Sequence, residues 1–121
     1  MITENLIREL ATIAMLNPAG YTVDANTLQP LTHGYCVAVA ATQNSFGAEG
    51  LRRVVEYVTQ HGNVNAFGGW YDGESGLYYY DATVVCATLG EAIEMARTNE
   101  QLAIYCLDTC CLLYTSDAAD D

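Results

Sequence analysis

An α+β fold built on an antiparallel sheet follows from three observations in the 121 residues. Residues alternate at period two in 35–41 and 77–86, the mark of strands with two different faces. Apolar residues recur at helical spacing in 47–61 and 88–96. A polar loop, Asp72-Gly73-Glu74-Ser75-Gly76, separates two strand-like runs and predicts a hairpin.

The elements follow in order. Residues 3–16 predict a helix, with Thr3 as its cap and Leu6, Ile7, Leu10, Ile13 and Ala14 on one face. Asn17-Pro18-Ala19-Gly20 stops it, because proline restricts the residue before it and cannot continue the ladder. A polar connector spans 21–34, and within it Tyr21-Thr22-Val23 reads as a short edge strand. In the strand 35–41, Tyr35, Val37 and Val39 face one side. Cys36, Ala38 and Ala40 face the other, where their small size lets another element approach; the N-terminal helix is expected over that face or at an edge.

Ser45 is a candidate N-cap for the helix 47–61, whose stripe is Leu51, Val54, Val55 and Val58, and Gly62 is a candidate left-handed C′ residue. The hairpin pairs 66–71 with 77–86. In its second strand Tyr78, Tyr80, Ala82 and Val84 alternate with Tyr79, Asp81, Thr83 and Val85, and the set with Asp81 is the wetter one. Thr88 and Glu91 form a capping box that opens the last helix. Asn99 ends that helix, and 102–107 is the final strand. From residue 35 the order is β-α-β-β-α-β, that of the ferredoxin-like split motif. The expected architecture is a four-stranded antiparallel sheet with an additional N-terminal helix.

The tail 111–121, Cys-Leu-Leu-Tyr-Thr-Ser-Asp-Ala-Ala-Asp-Asp, resembles one reading frame of a transposase-type library adapter. It is expected to be read-through in a metagenomic sequence, leaving 1–110 as a single domain. The formal charge is −11, and Asp117, Asp120 and Asp121 belong to the tail, which leaves −8 for residues 1–110. The basic residues are Arg8, Arg52, Arg53 and Arg97, with no lysine. So few cations argue against binding phosphate backbones or anionic membranes. No apolar run is long enough to span a bilayer, and the start lacks a secretory pattern, so a cytoplasmic protein is expected.

Cys36, Cys86 and Cys106 fall in apolar runs and read as buried free thiols. There is no CxxC, and Cys106-x3-Cys110 has no second pair, so neither metal nor cofactor is expected. Asp72, Glu74 and Asp81 lack the density of a calcium loop. Arg52 and Arg53 read as helix-face partners of Glu49 and Glu56. His33 or His61 with Asp81 sketches an acid–base pair, and with a cysteine a Cys–His nucleophile.

The aromatic hairpin, Phe67-Gly68-Gly69-Trp70-Tyr71 with Tyr78-Tyr79-Tyr80, stands out most. Cross-strand aromatic pairs stabilise hairpins, and such a patch also suits binding. The candidate binding residues are Trp70, Tyr71, Tyr79 and Asp81. Gly68-Gly69 does not lie between a strand and a helix N-terminus, so it is no phosphate loop; a bulge or a close contact explains it better.

The stretches Gly68-Gly69-Trp70, Tyr78-Tyr79-Tyr80-Asp81, Glu91-Ala92-Ile93 and Asn99-Glu100-Gln101-Leu102-Ala103-Ile104-Tyr105 resemble a loose group of small phage, mobile-element and host proteins. Those share a pattern GGW, YY-x-D, EAI and N-x-Q-x-AIY. The resemblance covers the C-terminal part of the chain and implies a setting rather than a mechanism. The expected function is a non-catalytic protein-binding or regulatory module whose partner is another protein, for instance an inhibitor of a host nuclease or defence protein. A small-molecule-binding domain, with dimerisation through the sheet as an option, is one alternative. A small hydrolase-like enzyme is the other.

Overall fold

The computed structural model describes residues 2–98 and 103–114. The chain forms α1 (Ile2–Leu16), β1 (Tyr21–Asp24), β2 (Tyr35–Ala38), β3 (Ser45–Phe46), α2 (Gly47–Gln60), β4 (Ala66–Asp72), β5 (Leu77–Cys86), α3 (Leu89–Thr98), β6 (Ala103–Cys106) and β7 (Cys111–Tyr114). The strands make one antiparallel sheet in the order β1-β4-β5-β2-β6-β7, and β3 pairs with β5 beside that path. The expected α+β class holds, but the sheet exceeds four strands. Two edge strands, with the short β3 beside β5, account for the difference. Thr22 and Val23 pair with Gly68 and Phe67, so the connector after α1 extends the hairpin sideways. Cys111–Tyr114 pairs with β6, although it opens the adapter-like tail.

The three α-helices of the described residues pack on one face. Leu10 of α1 and Leu51, Val54 and Val55 of α2 meet Val23, Val39, Phe67, Ala82 and Val84 of the sheet. Ala92 and Ala96 of α3 meet Val37 and Ile104. Leu10, Phe67 and Val55 are fully buried, and burial of this kind is the main apolar driving force of the domain. Of the two expected places for α1, over Ala38 and Ala40 or at an edge, the first is corrected. Leu10 sits in the same core as α2, and Arg52 of α2 holds Glu4 of α1 at 2.7 Å. The predicted Arg52–Glu49/Glu56 pairing is replaced by this inter-helix pair, and Arg53 donates to the Gln43 carbonyl at 2.6 Å.

Local chemistry explains most boundaries. The capping box is present: the Glu91 amide donates to Thr88 Oγ1 at 3.2 Å, and the Thr88 amide donates to Glu91 Oε1 at 3.2 Å. Asp72 Oδ1 accepts the Glu74 amide, and Gly76 takes a left-handed φ of 73° to close the hairpin. Three predicted caps are not present. Thr3 lies inside α1. Phe46, not Ser45, occupies the N-cap of α2, because Ser45 is held in β3 with its hydroxyl donating to the Thr42 carbonyl at 2.7 Å. His61 in extended conformation closes α2, so Gly62 is not a left-handed cap. Asn99 and Leu102, the expected ends of the last helix and strand, lie outside the described residues. No helix among the described residues is long and apolar enough to cross a membrane.

Candidate functional site

Among the described residues, one face of the sheet carries no α-helix. Residues opposite one another in an antiparallel ladder share a face. Gly68 lies opposite Asp81, Trp70 opposite Tyr79, and Ala66 opposite Thr83. Across β2, Cys36 lies opposite Val85 and Tyr105, and Ala38 opposite Thr83. These residues oppose the helix-packed set, so Tyr79, Asp81 and Thr83 are on the open face, as their alternation predicts.

The open face is concave because the chain between β2 and β3 leaves the sheet beside Asp81. The Val39 amide donates to the Ala82 carbonyl at 2.9 Å, and Ala40–Thr42 then turns as a 3-10 helix. Thr42, buried to 1% exposure, replaces the missing strand partner: its Oγ1 accepts the Ala82 amide at 3.1 Å. Pairing with β5 resumes at Ser45 and Phe46. The detour raises Thr42, Gln43 and Asn44 into a wall. With Thr22, Cys36, Gly68, Trp70, Tyr79 and Asp81 they enclose a cavity of about 1000 Å³.

Asp81 is at the floor. On the β4 side its neighbour is a glycine, and on the other side the strand has departed. Thr83 Oγ1 donates to Asp81 Oδ1. Burial pushes the Asp81 carboxyl above its ordinary range, an effect that the Thr83 hydrogen bond offsets only in part. Cys36, on the neighbouring strand, is pushed up to about 12 by burial and is a neutral thiol. No Lys, Arg or His among the described residues lines the cavity.

Aromatic rings form the rim. Trp70 stacks on Tyr79 with centroids 5.1 Å apart and an interplanar angle of 15°. Phe46 meets the same Tyr79 edge-on at 5.6 Å. Trp70 and Phe46 remain 47% and 45% exposed.

Of the four predicted binding residues, Trp70, Tyr79 and Asp81 are brought together. Tyr71 is not: it pairs with Tyr78 on the helix side of the hairpin. The glycine pair makes no bulge, since the ladder runs unbroken from Ala66–Thr83 to Asp72–Leu77. Each glycine instead clears one face. A Cβ on Gly68 would lie 2.6 Å from Asp81 Oδ1, and one on Gly69 would overlap the Tyr21 ring.

The sketched acid–base pairs do not form. His33 Nδ1 contacts Asp108 Oδ1 at 2.6 Å. His33 precedes Tyr35, which pairs with Cys86. From Cys86 to Asp81 along β5 is roughly 16 Å at about 3.3 Å per residue. His61 ends α2 on the helix side, stacked on Tyr57 at 3.8 Å and bonded to its carbonyl at 2.8 Å. Among the described residues no group of three His, Cys, Asp or Glu is placed to hold a metal ion. Cys36 and Cys106 are buried free thiols, as expected, and Cys86 is a half-buried one.

Sequence reasoning missed Cys36, Thr42 and Gly68 as site residues. For Gly68 the signal is present in the chain: counting back from the hairpin loop places it opposite Asp81. Comparison of the chain with protein-family models, with curated proteins and with solved structures finds no match in any of the three.

Proposed function

We propose that this protein is a non-catalytic binding domain whose open sheet face takes a small organic molecule. The observation that carries the reading is the cavity of about 1000 Å³ with a part-buried carboxyl at its floor and stacked aromatics at its rim. Ligand sites are concave, largely apolar and supplied with a few convergent polar groups, and this one has that composition. Neither His33 nor His61 stands beside Asp81, which removes the acid–base pair a hydrolytic reading would use.

We read the topology as ferredoxin-like with added edges. The order β4-β5-β2-β6, antiparallel throughout, supports this, with β1 and β7 as outer strands.

The test is amide chemical-shift mapping with a library of small neutral and charged fragments. The expected result is saturable shifts at Cys36, Gly68, Trp70 and Asp81. Shifts confined to the helix side, or none, would refute the reading. A protein partner, the role expected from the acidic charge, the lack of lysine, the small size and the aromatic hairpin, is the second reading; the half-exposed Phe46 and Trp70 favour it.

A further inference from the structure

We propose that the ligand is a planar organic cation, an amidinium or a protonated amino-heterocycle, whose N–H groups pair with the Asp81 carboxylate while its ring lies along the Trp70–Tyr79 stack. The inference rests on the small-molecule reading and narrows it to a chemical class.

Four observations point this way. Among the described residues, Thr83 is the hydrogen-bond donor to Asp81, and it reaches Oδ1. A carboxylate has about four lone-pair sites, so acceptor capacity remains. An ionised carboxyl that is partly buried is stabilised by an opposite charge, and none of the described residues that line the cavity supplies one. The chain's formal charge of −11 attracts cations and repels anions over distance. The rim offers the half-exposed ring of Trp70, which stacks on Tyr79, and flat cations are drawn to such a ring by its quadrupole.

The floor favours a flat group over a compact one. Gly68, Cys36 and Ala38 project little above the sheet, while Thr42 and Asn44 stand at the side. A bare metal ion is the poorer fit, because Asp81 has no companion ligands of the required kind among the described residues. Planar N–H donors match a carboxylate edge in a bidentate way that a spherical ammonium does not.

Proton linkage follows. The titratable groups around Asp81 are Tyr21 on β1, Cys36 on β2, Tyr79 and Tyr80 on β5 and Tyr105 on β6, and Asp72 stands at the cavity's edge. Tyr21 and Cys36 are both pushed upward by burial and stay neutral near pH 7. Asp81 is therefore the carboxyl at the floor that changes charge, and affinity for a permanent cation rises with pH as it ionises.

Benzamidinium, benzamide and benzoate share a ring and differ in charge, so they form the test, followed through the fluorescence of the single tryptophan, Trp70. The expected result is binding of benzamidinium at least about tenfold tighter than benzamide, with benzoate weakest. Asp81→Asn should abolish the preference while leaving the far-ultraviolet circular dichroism unchanged. Comparing the three probes on the unaltered protein needs no variant, so a misfolded Asp81→Asn leaves the test intact. Equal affinity for benzamidinium and benzamide overturns the cation class and leaves the small-molecule reading standing. No binding by any of the three also overturns the cation class; the small-molecule reading is then decided by the neutral fragments in the amide mapping.

Discussion

Gly68 and Asp81 face each other across the β4–β5 ladder, and the space where a Gly68 side chain would be is occupied by the Asp81 carboxyl, 2.6 Å from an ideal Cβ. That Cβ would also come within 3.1 Å of Thr83 Oγ1. Gly68→Ala should force Asp81 off the Thr83 hydroxyl and cost about 1–3 kcal/mol, the usual penalty for overpacking. Gly69→Ala should cost more, because it overlaps the Tyr21 ring and meets the Tyr78 ring at 2.8 Å, and Tyr78 is tethered through its hydroxyl to the Asn17 carbonyl. Urea denaturation of both variants checks the ranking; a Gly68→Ala protein as stable as the parent would contradict this packing.

The raised pKa of Asp81 makes a signed prediction. An acid whose folded pKa lies above its unfolded value binds its proton more tightly when folded. Its contribution to stability is present below the ordinary value of 3.8 and is lost as pH rises through the folded pKa. A tenfold difference in proton affinity between the folded and unfolded chain corresponds to about 1.4 kcal/mol. Asp81→Asn removes the ionisable group, so its stability relative to the parent should grow as pH rises above 3.8. Chemical denaturation at a series of pH values measures this, and a difference independent of pH would exclude a desolvated Asp81.

Thr42 closes a gap in the backbone hydrogen bonding. Its hydroxyl accepts the Ala82 amide at 3.1 Å and donates to the Val39 carbonyl at 3.2 Å. Thr42→Val keeps the shape and leaves a buried N–H without an acceptor, a loss of about 1–3 kcal/mol. The same change should expose the Ala82 amide to faster hydrogen exchange while the amides of β4 keep their protection. Unchanged exchange at Ala82 would mean that the detour between β2 and β3 is held by other contacts.

Short-range chemistry decides the features that are legible in the sequence. The Thr88–Glu91 box, the Asp72–Gly76 turn and the alternation of Tyr78 to Val85 each specify their own geometry within a few residues. The face of the sheet that α1 covers depends on where Leu10 meets Val54 and Phe67, a tertiary matter with no local signature. The same holds for Thr42, whose role depends on an amide forty residues away. Tyr71 differs in kind, because its placement is readable. The loop fixes Asp72 opposite Leu77, and parity from there puts Tyr71 with Tyr78 and away from Asp81. The cavity itself requires both pieces, the parity of the hairpin and the departure of the chain after β2.

His33 and Asp108 join the start of β2 to the end of β6. Asp108 Oδ1 contacts His33 Nδ1 at 2.6 Å, Oδ2 accepts the Gly34 amide at 3.1 Å, and the Leu107 amide donates to the Gly34 carbonyl at 2.9 Å. The His33 hydrogen bond, then the Gly34 amide, hold the Asp108 carboxyl below its ordinary value of 3.8. For a depressed carboxyl the sign reverses: its contribution is present above 3.8 and is lost as pH falls through the lower folded value. The pair is exposed, so its effect on global stability is small. The readout is local. The Gly34 amide shift should titrate with a midpoint below 3.8, and His33→Ala should move that midpoint upward. A midpoint unmoved by His33→Ala would assign the depression to the Gly34 amide alone.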